Sequence, residues 1–215
     1  MTARPYSTGE EIANAVSHGL GVAAAIVGLT LMLTKGISVL NSAGILAISV
    51  YGASMILMFL SSTLYHSLQH AGAKAIFKRL DHCAIYLLIA GSYTPFLLIA
   101  LNSAQAWSLL LVIWGLAFAG VIFKAFFINR FKRLALFTYL AMGWASLVII
   151  WQIYQALPLP GFILLLAGGL SYSLGTLFYA AKQYPYTHAI WHLFVLGGAT
   201  CHCIAVALYV IPNPA

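Results

Sequence analysis

Seven apolar runs follow one another along the chain, and each is close to the length that crosses a lipid bilayer. A transmembrane helix needs about 20 consecutive, predominantly apolar residues. The runs predict helical spans at about residues 17–34, 43–65, 82–101, 106–127, 134–154, 160–180 and 189–211. Because the connections between them are short, the sequence predicts an all-α membrane protein in which residues 1–215 form a single bundle of seven transmembrane helices.

The composition agrees with a chain that is solvated by lipid. Hydrophobic residues make up 63% of the 215 and charged residues 6%, whereas a soluble domain carries about 25% charged residues. The polar residues ahead of the first run lack a basic segment, so a cleaved signal peptide is not expected. The three cysteines, Cys83, Cys201 and Cys203, are expected to pack as small apolar side chains rather than to form disulfide bonds.

The ten Lys and Arg residues divide unevenly between the two ends of the predicted bundle. Lys35 stands alone at one end, and the other nine fall at the end that holds the N-terminus. Cytoplasmic loops are enriched in Lys and Arg, so we expect a cytoplasmic N-terminus and an external C-terminus in the cell (inner or plasma) membrane. The net charge of +7 then reflects topology and contact with anionic lipid headgroups. No nucleic-acid partner is expected, because the basic residues do not cluster with aromatic ones on one face.

The polar and ionisable residues of the apolar runs concentrate at one end of the bundle. Spans 1, 3 and 7 begin at the end where span 2 finishes, so polar residues at these termini are expected at a common membrane depth. The residues concerned are His18, Ser62, His66, Asp81, His188 and His192. An ionisable side chain within the membrane is costly and by default indicates a functional site.

The spacing of two histidines at the start of span 7 favours metal binding. His188 and His192 lie four residues apart, which is about 6 Å along a helix and on one face, and such a pair can bind one ion. His192 lies about one turn inside the apolar run, where an unpaired imidazole is costly. Imidazole ligands suit zinc, copper, iron or nickel. With His66 at the same depth as a third imidazole, the site suggests zinc with a fourth position for water.

Zinc in such a site would favour hydrolysis, because it lowers the pKa of its bound water toward about 7. A nearby carboxylate could take the water's proton and pass it to the leaving group, and Asp81 is the only aspartate of the chain. The Ser62 hydroxyl, one helical turn before His66, could bond the water or the oxyanion. The HExxH, G-x-S-x-G and P-loop motifs are absent, which removes support for familiar peptidase, esterase and nucleotidase functions.

Several of these residues also have a structural interpretation. Asp81 could cap the start of span 3 or pair with Arg79, and the Ser62 hydroxyl could bond the backbone carbonyl four residues earlier. His66 by itself could reach toward the headgroups from the membrane interface. The common depth of these residues with the histidine pair favours a functional site over three separate structural roles.

The remaining polar residues near the spans are expected outside the ligand set. His70 and His82 fall at or beyond the membrane interface. His202 lies about 15 Å deeper than the histidine pair and is expected to form a helix–helix hydrogen bond, with a proton-relay role as the alternative. Glu11 and Asn14 are expected to pack or cap beside the site.

Three motifs in the chain resemble those of a known superfamily. The pattern Glu11-x-x-Asn14-x-x-Ser17-His18, the pattern Ser62-x-x-x-His66 followed by Asp81, and the pattern His188-x-x-x-His192 are similar to the motifs of the progestin and adipoQ receptors. The stretch RLDHCAIYLLIAGSYTPF (79–96) is most similar to the bacterial branch, the haemolysin III-like proteins.

The resemblance covers essentially the whole chain and implies a site as well as a fold. It implies seven helices, a cytoplasmic N-terminus, and a zinc ion held by His66, His188 and His192 near the inner face. It also implies a zinc-bound water near Asp81 and Ser62. A related pattern occurs in alkaline ceramidases, and the adiponectin receptors are similar in showing ceramide amide hydrolysis. The substrate does not carry over with the resemblance, and membrane lipids are expected as partners because a buried site that faces lipid suits a lipid substrate.

Three functions from different classes fit these observations. The preferred one is an intramembrane zinc hydrolase that cleaves a lipid amide or ester bond. The second is a receptor or regulator of membrane state with structural zinc, which a fourth protein ligand such as Asp81 would favour. The third, ranked last, is a pore-forming cytolysin, because spans 4 to 6 carry few residues for a polar path. The sequence identifies no oligomeric partner, since Gly168–Gly169 and Gly197–Gly198 would allow close helix contacts within or between chains.

Overall fold

The computed structural model describes residues 5–128 and 130–213, without the side chain of Lys132. Arg4, one of the basic residues that predict the orientation, lies outside the described residues. Seven helices in this part are long and apolar enough to cross a membrane, which confirms the predicted fold class, while the orientation stays a prediction. They are α1 (Thr8–Gly36), α2 (Ser42–Ser67), α3 (Ala71–Leu101), α4 (Ala104–Phe126), α5 (Arg133–Ala156), α6 (Leu159–Ala180) and α7 (Thr187–Val210).

Two helices begin well before the apolar runs that predict them. The Ser7 hydroxyl accepts a hydrogen bond from the Glu10 amide at 3.3 Å, and the Glu10 carboxylate accepts one from the Ser7 amide at 2.9 Å. This capping box starts α1 at Thr8 rather than at residue 17. The His70 ring caps α3 by accepting from the Ala73 amide at 3.3 Å, so α3 begins at Ala71 rather than at residue 82. An apolar run marks the hydrocarbon depth, whereas each helix continues to its cap in the polar interface.

These longer helices determine where the polar residues lie. Glu11, Asn14 and His18 are three and seven positions apart within α1, so they share one face of a helix. Asp81 lies well inside α3, which excludes the helix-cap interpretation of this aspartate. The basic segment that contains Lys74 and Lys78, expected in a loop, is also helical.

The helices pack closely where small residues face large ones. A Cβ added at Gly198 of α7 would lie 2.8 Å from the ring of Tyr172 in α6, and one added at Gly168 of α6 would collide with the His202 ring of α7. The glycines predicted to allow close approach therefore serve a contact within the chain. On the opposite side, α2 packs between α1 and α3, and the inner faces of these helices form one continuous core.

Irregular backbone within α5 is satisfied by a side chain of α3. The helix changes to a 3₁₀ segment at Ala145–Ile149. The Tyr93 hydroxyl donates to the Met142 carbonyl at 2.8 Å and accepts from the Ser146 amide at 2.9 Å. Because lipid offers no hydrogen bonds, non-helical backbone at membrane depth is stable only with such internal partners.

The end of α7 is held in a similar way by α1. The last residues of α7, Val206–Val210, form a π-helical turn. The Lys35 ammonium donates to the Ala207 carbonyl at 2.8 Å and to the Ile211 carbonyl at 2.9 Å. A cation at a helix C-terminus is favoured by both hydrogen bonding and the helix dipole.

Large apolar side chains cover the outside of the bundle. Leu20, Leu111 and Val148 are more than half exposed, at 64%, 70% and 81%, and many other large apolar residues are also exposed on the outer helix faces. An exposed apolar surface this extensive would drive association in water, but it suits contact with lipid tails. The chain is therefore a multi-pass membrane protein.

Candidate metal centre

Two helices bring three histidines together at one end of the bundle. His66 lies at the end of α2, and His188 and His192 lie in the first two turns of α7. Each offers one ligand atom, and these atoms all lie within 4.8 Å of one another. All three side chains are buried. Among the described residues, these three histidines form the group whose potential ligand atoms are close enough together to bind one metal ion.

A carboxylate of α1 fixes the orientation of His66. The Nδ1–H group of His66 donates to Oε2 of Glu11 at 2.6 Å, and Oε1 of the same carboxylate accepts from the Lys74 ammonium at 2.7 Å. The other ring nitrogen, Nε2, is buried and has no hydrogen-bond partner among the described residues. A metal-binding histidine commonly donates its second N–H to a carboxylate in this way, so Nε2 is the ligand atom that His66 offers.

The backbone of α1 fixes the orientation of the His192 ring. The Nδ1–H group of His192 donates to the Asn14 carbonyl oxygen at 3.1 Å. The Ser17 hydroxyl lies 3.1 Å from this nitrogen and donates to the same carbonyl at 3.0 Å. Nε2 is then the nitrogen of His192 that is left for a metal. Helix α1 thus orients two of the three histidines without supplying a ligand itself.

The third histidine is held by ring contacts. The Nδ1 atom of His188 is buried and has no hydrogen-bond partner in the described ranges. The ring of Tyr6, just before α1, stacks on His188 with a centroid distance of 5.2 Å and an interplanar angle of 24°. Tyr6 also lies 5.8 Å from the His66 ring. Burial raises the pKa of the Tyr6 phenol, so this hydroxyl stays protonated.

The residues present fit a metal ion of the zinc type. Buried polar atoms without partners are costly, and Nε2 of His66 is such an atom among the described residues. A bound ion would satisfy the free nitrogens of three neutral imidazoles at once, and zinc commonly takes three such ligands together with a water. The orienting bonds from Glu11 and Asn14 complete the arrangement that metal-binding histidines usually have.

Asp81 lies near the histidines without joining the ligand group. It is buried in α3 and lines the same cavity as His188 and His192, but it is not among the side chains that satisfy the 4.8 Å spacing. Its Oδ2 atom lies 3.4 Å from Nδ1 of His82. The Arg79 side chain donates to the Ala75 carbonyl, so the arginine has a partner on its own helix.

Ser62 lies in α2, one turn before His66, and is fully buried. Its hydroxyl has no hydrogen-bond partner among the described residues. The alternative expectation, a bond to the backbone carbonyl four residues earlier, is therefore not observed. The hydroxyl is therefore a buried donor for which the described residues supply no acceptor.

A cavity extends from the histidine group along the inside of the bundle. It follows α3 from Asp81 to Leu97 and α7 from His188 to His202. The distance from His192 to His202 along α7 is about 15 Å, and the walls between them are mostly apolar, with Leu88 among them. At the far end, the His202 Nε2–H group donates to the Leu165 carbonyl at 3.1 Å, which is the predicted helix–helix hydrogen bond.

The three remaining histidines, His18, His70 and His82, lie outside the ligand group. His70 is exposed and caps α3, and His82 is half-buried and donates to the Lys78 carbonyl at 2.9 Å. His18 is buried in α1, and its ring lies flat on His192 with a centroid distance of 3.5 Å. None of the three belongs to the ligand group.

Two contributions to the site go beyond what the sequence predicts. Glu11 and Asn14 are expected from the sequence only to pack or cap, whereas the structure gives them direct bonds to His66 and His192. The place of Glu11 on the same helix face as His18 was the available signal for its contact, whereas Asn14 bonds His192 through its backbone carbonyl, which no residue type marks. Tyr6 precedes α1 and belongs to none of the quoted motifs, so the sequence offers no signal for its contact with the histidines.

Known proteins match this chain over nearly its whole length. The family model described as haemolysin-III related matches residues 6–203. Hemolysin-3 of Bacillus cereus is 46% identical over 213 residues, which cover 99% of this chain and 97% of that protein. The hemolysin-3 homolog of Bacillus subtilis (strain 168) is 44% identical, over 97% of this chain and 98% of the relative. The human monocyte to macrophage differentiation factor is 29% identical, over 95% and 86%. The range matched by the family model spans the positions of His66, His188 and His192.

Proposed function

Because the chain belongs to the haemolysin III-related family, within the progestin and adipoQ receptor superfamily, we propose that its histidine group is a catalytic zinc centre. The reaction we propose is hydrolysis of a lipid amide or ester bond within the membrane. The observation that carries this proposal is the combination of three buried, convergent histidines with a buried carboxylate that lies outside their ligand group.

The separation of Asp81 from the ligand group supports an open metal site. Three protein ligands leave a coordination position for water, as in catalytic zinc sites, whereas structural zinc usually has four protein ligands. His66, His188 and His192 would hold the ion. Zinc bound there would act as a Lewis acid and lower the pKa of a coordinated water toward about 7.

The residues around the histidines have a part in each step of hydrolysis. The Asp81 carboxylate would accept the proton of the attacking water as the water oxygen bonds to the lipid carbonyl carbon. As the carbon–nitrogen or carbon–oxygen bond breaks, Asp81 would return the proton to the leaving amine or alcohol. The Ser62 hydroxyl, which is buried without a partner in the described part of the chain, would donate a hydrogen bond to the water or to the carbonyl oxygen.

The cavity supports a lipid as the substrate. Its polar residues next to the histidine group include Asp81, and its walls toward His202 are mostly apolar. An acyl chain can lie along these walls with its carbonyl group at the polar end. Ligand sites of this kind combine a largely apolar lining with a few placed polar groups.

Hydrolysis assays with matched protein samples test this proposal. Purified wild-type protein, chelator-treated protein and the His188→Ala variant would be incubated with ceramides, other N-acyl lipids and glycerophospholipids, in detergent and in vesicles. Products would be detected by mass spectrometry. We expect product from the wild type, loss of product after zinc removal, and recovery when zinc is returned to the wild type but not to His188→Ala.

The exposed histidine provides the control. His70→Ala changes an imidazole that lies outside the ligand group and is expected to retain turnover. Equal turnover by the wild type, the chelator-treated protein and His188→Ala would show that the activity does not belong to this site.

A further inference from the structure

We propose that Tyr6 is a positioning residue that holds the His188 ring in the orientation that binds the metal. This inference rests on the proposed zinc centre and adds a residue to it. Each of the other two histidines has a hydrogen-bonded partner that fixes its ring, namely Glu11 for His66 and the Asn14 carbonyl for His192. The buried Nδ1 atom of His188 has no such partner among the described residues.

Ring packing takes the place of that hydrogen bond. The Tyr6 and His188 rings are nearly parallel, at 24°, with their centroids 5.2 Å apart, which is within the range of offset stacking between aromatic rings. Tyr179 of α6 contacts the same imidazole less closely, at 6.2 Å and 43°. The stack restricts rotation of His188 about its side-chain bonds, as a hydrogen-bonded partner would.

The chain around Tyr6 is itself held in place. Glu10 accepts hydrogen bonds from the Ser7 amide at 2.9 Å and from the Tyr186 amide at 2.9 Å. Ser7 follows Tyr6 directly, and Tyr186 immediately precedes α7. One buried carboxylate therefore joins the segment that carries Tyr6 to the helix that carries His188, so the two rings are kept in register.

The same placement puts Tyr6 over the end of the histidine group. Its ring contacts two of the three ligands, His66 at 5.8 Å and His188 at 5.2 Å, and it approaches them from the chain that precedes α1. A side chain in this position shields the imidazoles from solvent at that end of the bundle. Losing it should loosen His188 and expose the ring to reagents in water.

Two measurements on the full-length protein test the proposal. The first is the rate at which zinc passes from zinc-loaded protein to an excess of a chromogenic chelator. The second is the rate at which diethyl pyrocarbonate modifies His188 in metal-free protein, followed by peptide mass mapping. The variants are Tyr6→Leu, which removes the aromatic ring, and Tyr6→Phe, which keeps the ring and loses the hydroxyl. Tyr184→Leu changes a tyrosine that is 62% exposed and serves as the control.

We expect Tyr6→Leu to release zinc about tenfold faster, because loss of a group that orients a metal ligand typically costs 10–100-fold in affinity. His188 modification should accelerate as well, while Tyr6→Phe and Tyr184→Leu behave like the wild type. Wild-type rates for Tyr6→Leu in either measurement, or equal acceleration in Tyr6→Phe, would overturn the proposal. If wild-type protein retains no zinc, the proposed metal centre fails, and the modification rates of His188 alone decide whether Tyr6 holds this ring.

Discussion

The Nδ1–H group of His66 donates to the Glu11 carboxylate at 2.6 Å, the shortest of the bonds that hold the histidine group. The bond links the end of α2 to the first turns of α1, and it leaves Nε2 of His66 directed away from the carboxylate. A carboxylate in this position both fixes the ring and strengthens the imidazole as a ligand. Glu11 should therefore affect metal binding although it does not touch the metal.

Glu11→Gln is expected to weaken zinc affinity by about 10–100-fold, the usual effect of losing such a partner. The amide keeps the shape of the side chain but lacks the charge that faces His66 and Lys74. Competition with a chelator of known affinity would measure the change. Arg79→Gln is the control, because Arg79 is an exposed charged residue that donates to a carbonyl of its own helix; an equal loss of affinity in both variants would contradict the role given to Glu11.

One zinc per chain is expected in the purified protein, bound by His66, His188 and His192. Their ligand atoms lie within 4.8 Å of one another, so removal of one imidazole leaves two ligands and sharply weakens retention. Elemental analysis of the wild type and of each His→Ala variant would measure this. His70→Ala should keep its zinc, whereas full occupancy in His188→Ala would refute the assignment.

Asp81→Asn should separate catalysis from metal binding. Asparagine keeps the size of the side chain but cannot accept the proton from water, so turnover is expected to fall by roughly 100-fold or more. Zinc should stay bound, because Asp81 lies outside the ligand group. Parallel turnover and metal assays provide the measurement. Loss of zinc from this variant would make Asp81 a ligand and favour the receptor or regulator with structural zinc.

The orientation of the chain in the membrane can be tested with reporter fusions. The distribution of Lys and Arg, with Lys35 alone at one end, predicts a cytoplasmic N-terminus and an external C-terminus. A reporter that is active only outside the cytoplasm should be active when fused after residue 215 and inactive when fused near residue 131. The reverse result would place the histidine group at the outer face.

Lys35→Met should lower the thermal stability of the bundle. The Lys35 ammonium donates to the carbonyls of Ala207 and Ile211, and hydrogen bonds to charged groups contribute about 1.5–3 kcal/mol each. Since about 1 kcal/mol shifts the Tm of a chain of this size by roughly 2–4 °C, we expect a decrease of several degrees. Arg130→Met, at an exposed position between α4 and α5, is the control, and an equal decrease there would indicate a nonspecific charge effect.

The sequence by itself determined the class of fold and the family. Apolar runs of bilayer length leave the backbone few alternatives to helices that satisfy their own hydrogen bonds, so the number of spans could be counted directly. Ser62, His66, Asp81, His188 and His192 could be singled out because polar groups within an apolar run are costly. The runs did not locate the starts of α1 and α3, since these depend on the caps formed by Ser7 and His70 in the polar interface.

The tertiary structure decided which groups orient the histidines. Glu11 reaches His66 across a separation of 55 positions, and the Asn14 carbonyl reaches His192 across 178. Tyr6 lies on His188 although no periodicity or motif marks it. Such contacts depend on how α1, α2 and α7 pack against one another. Residue type and spacing fix which face of a helix a side chain occupies, but the partner on that face is set by the packing of whole helices.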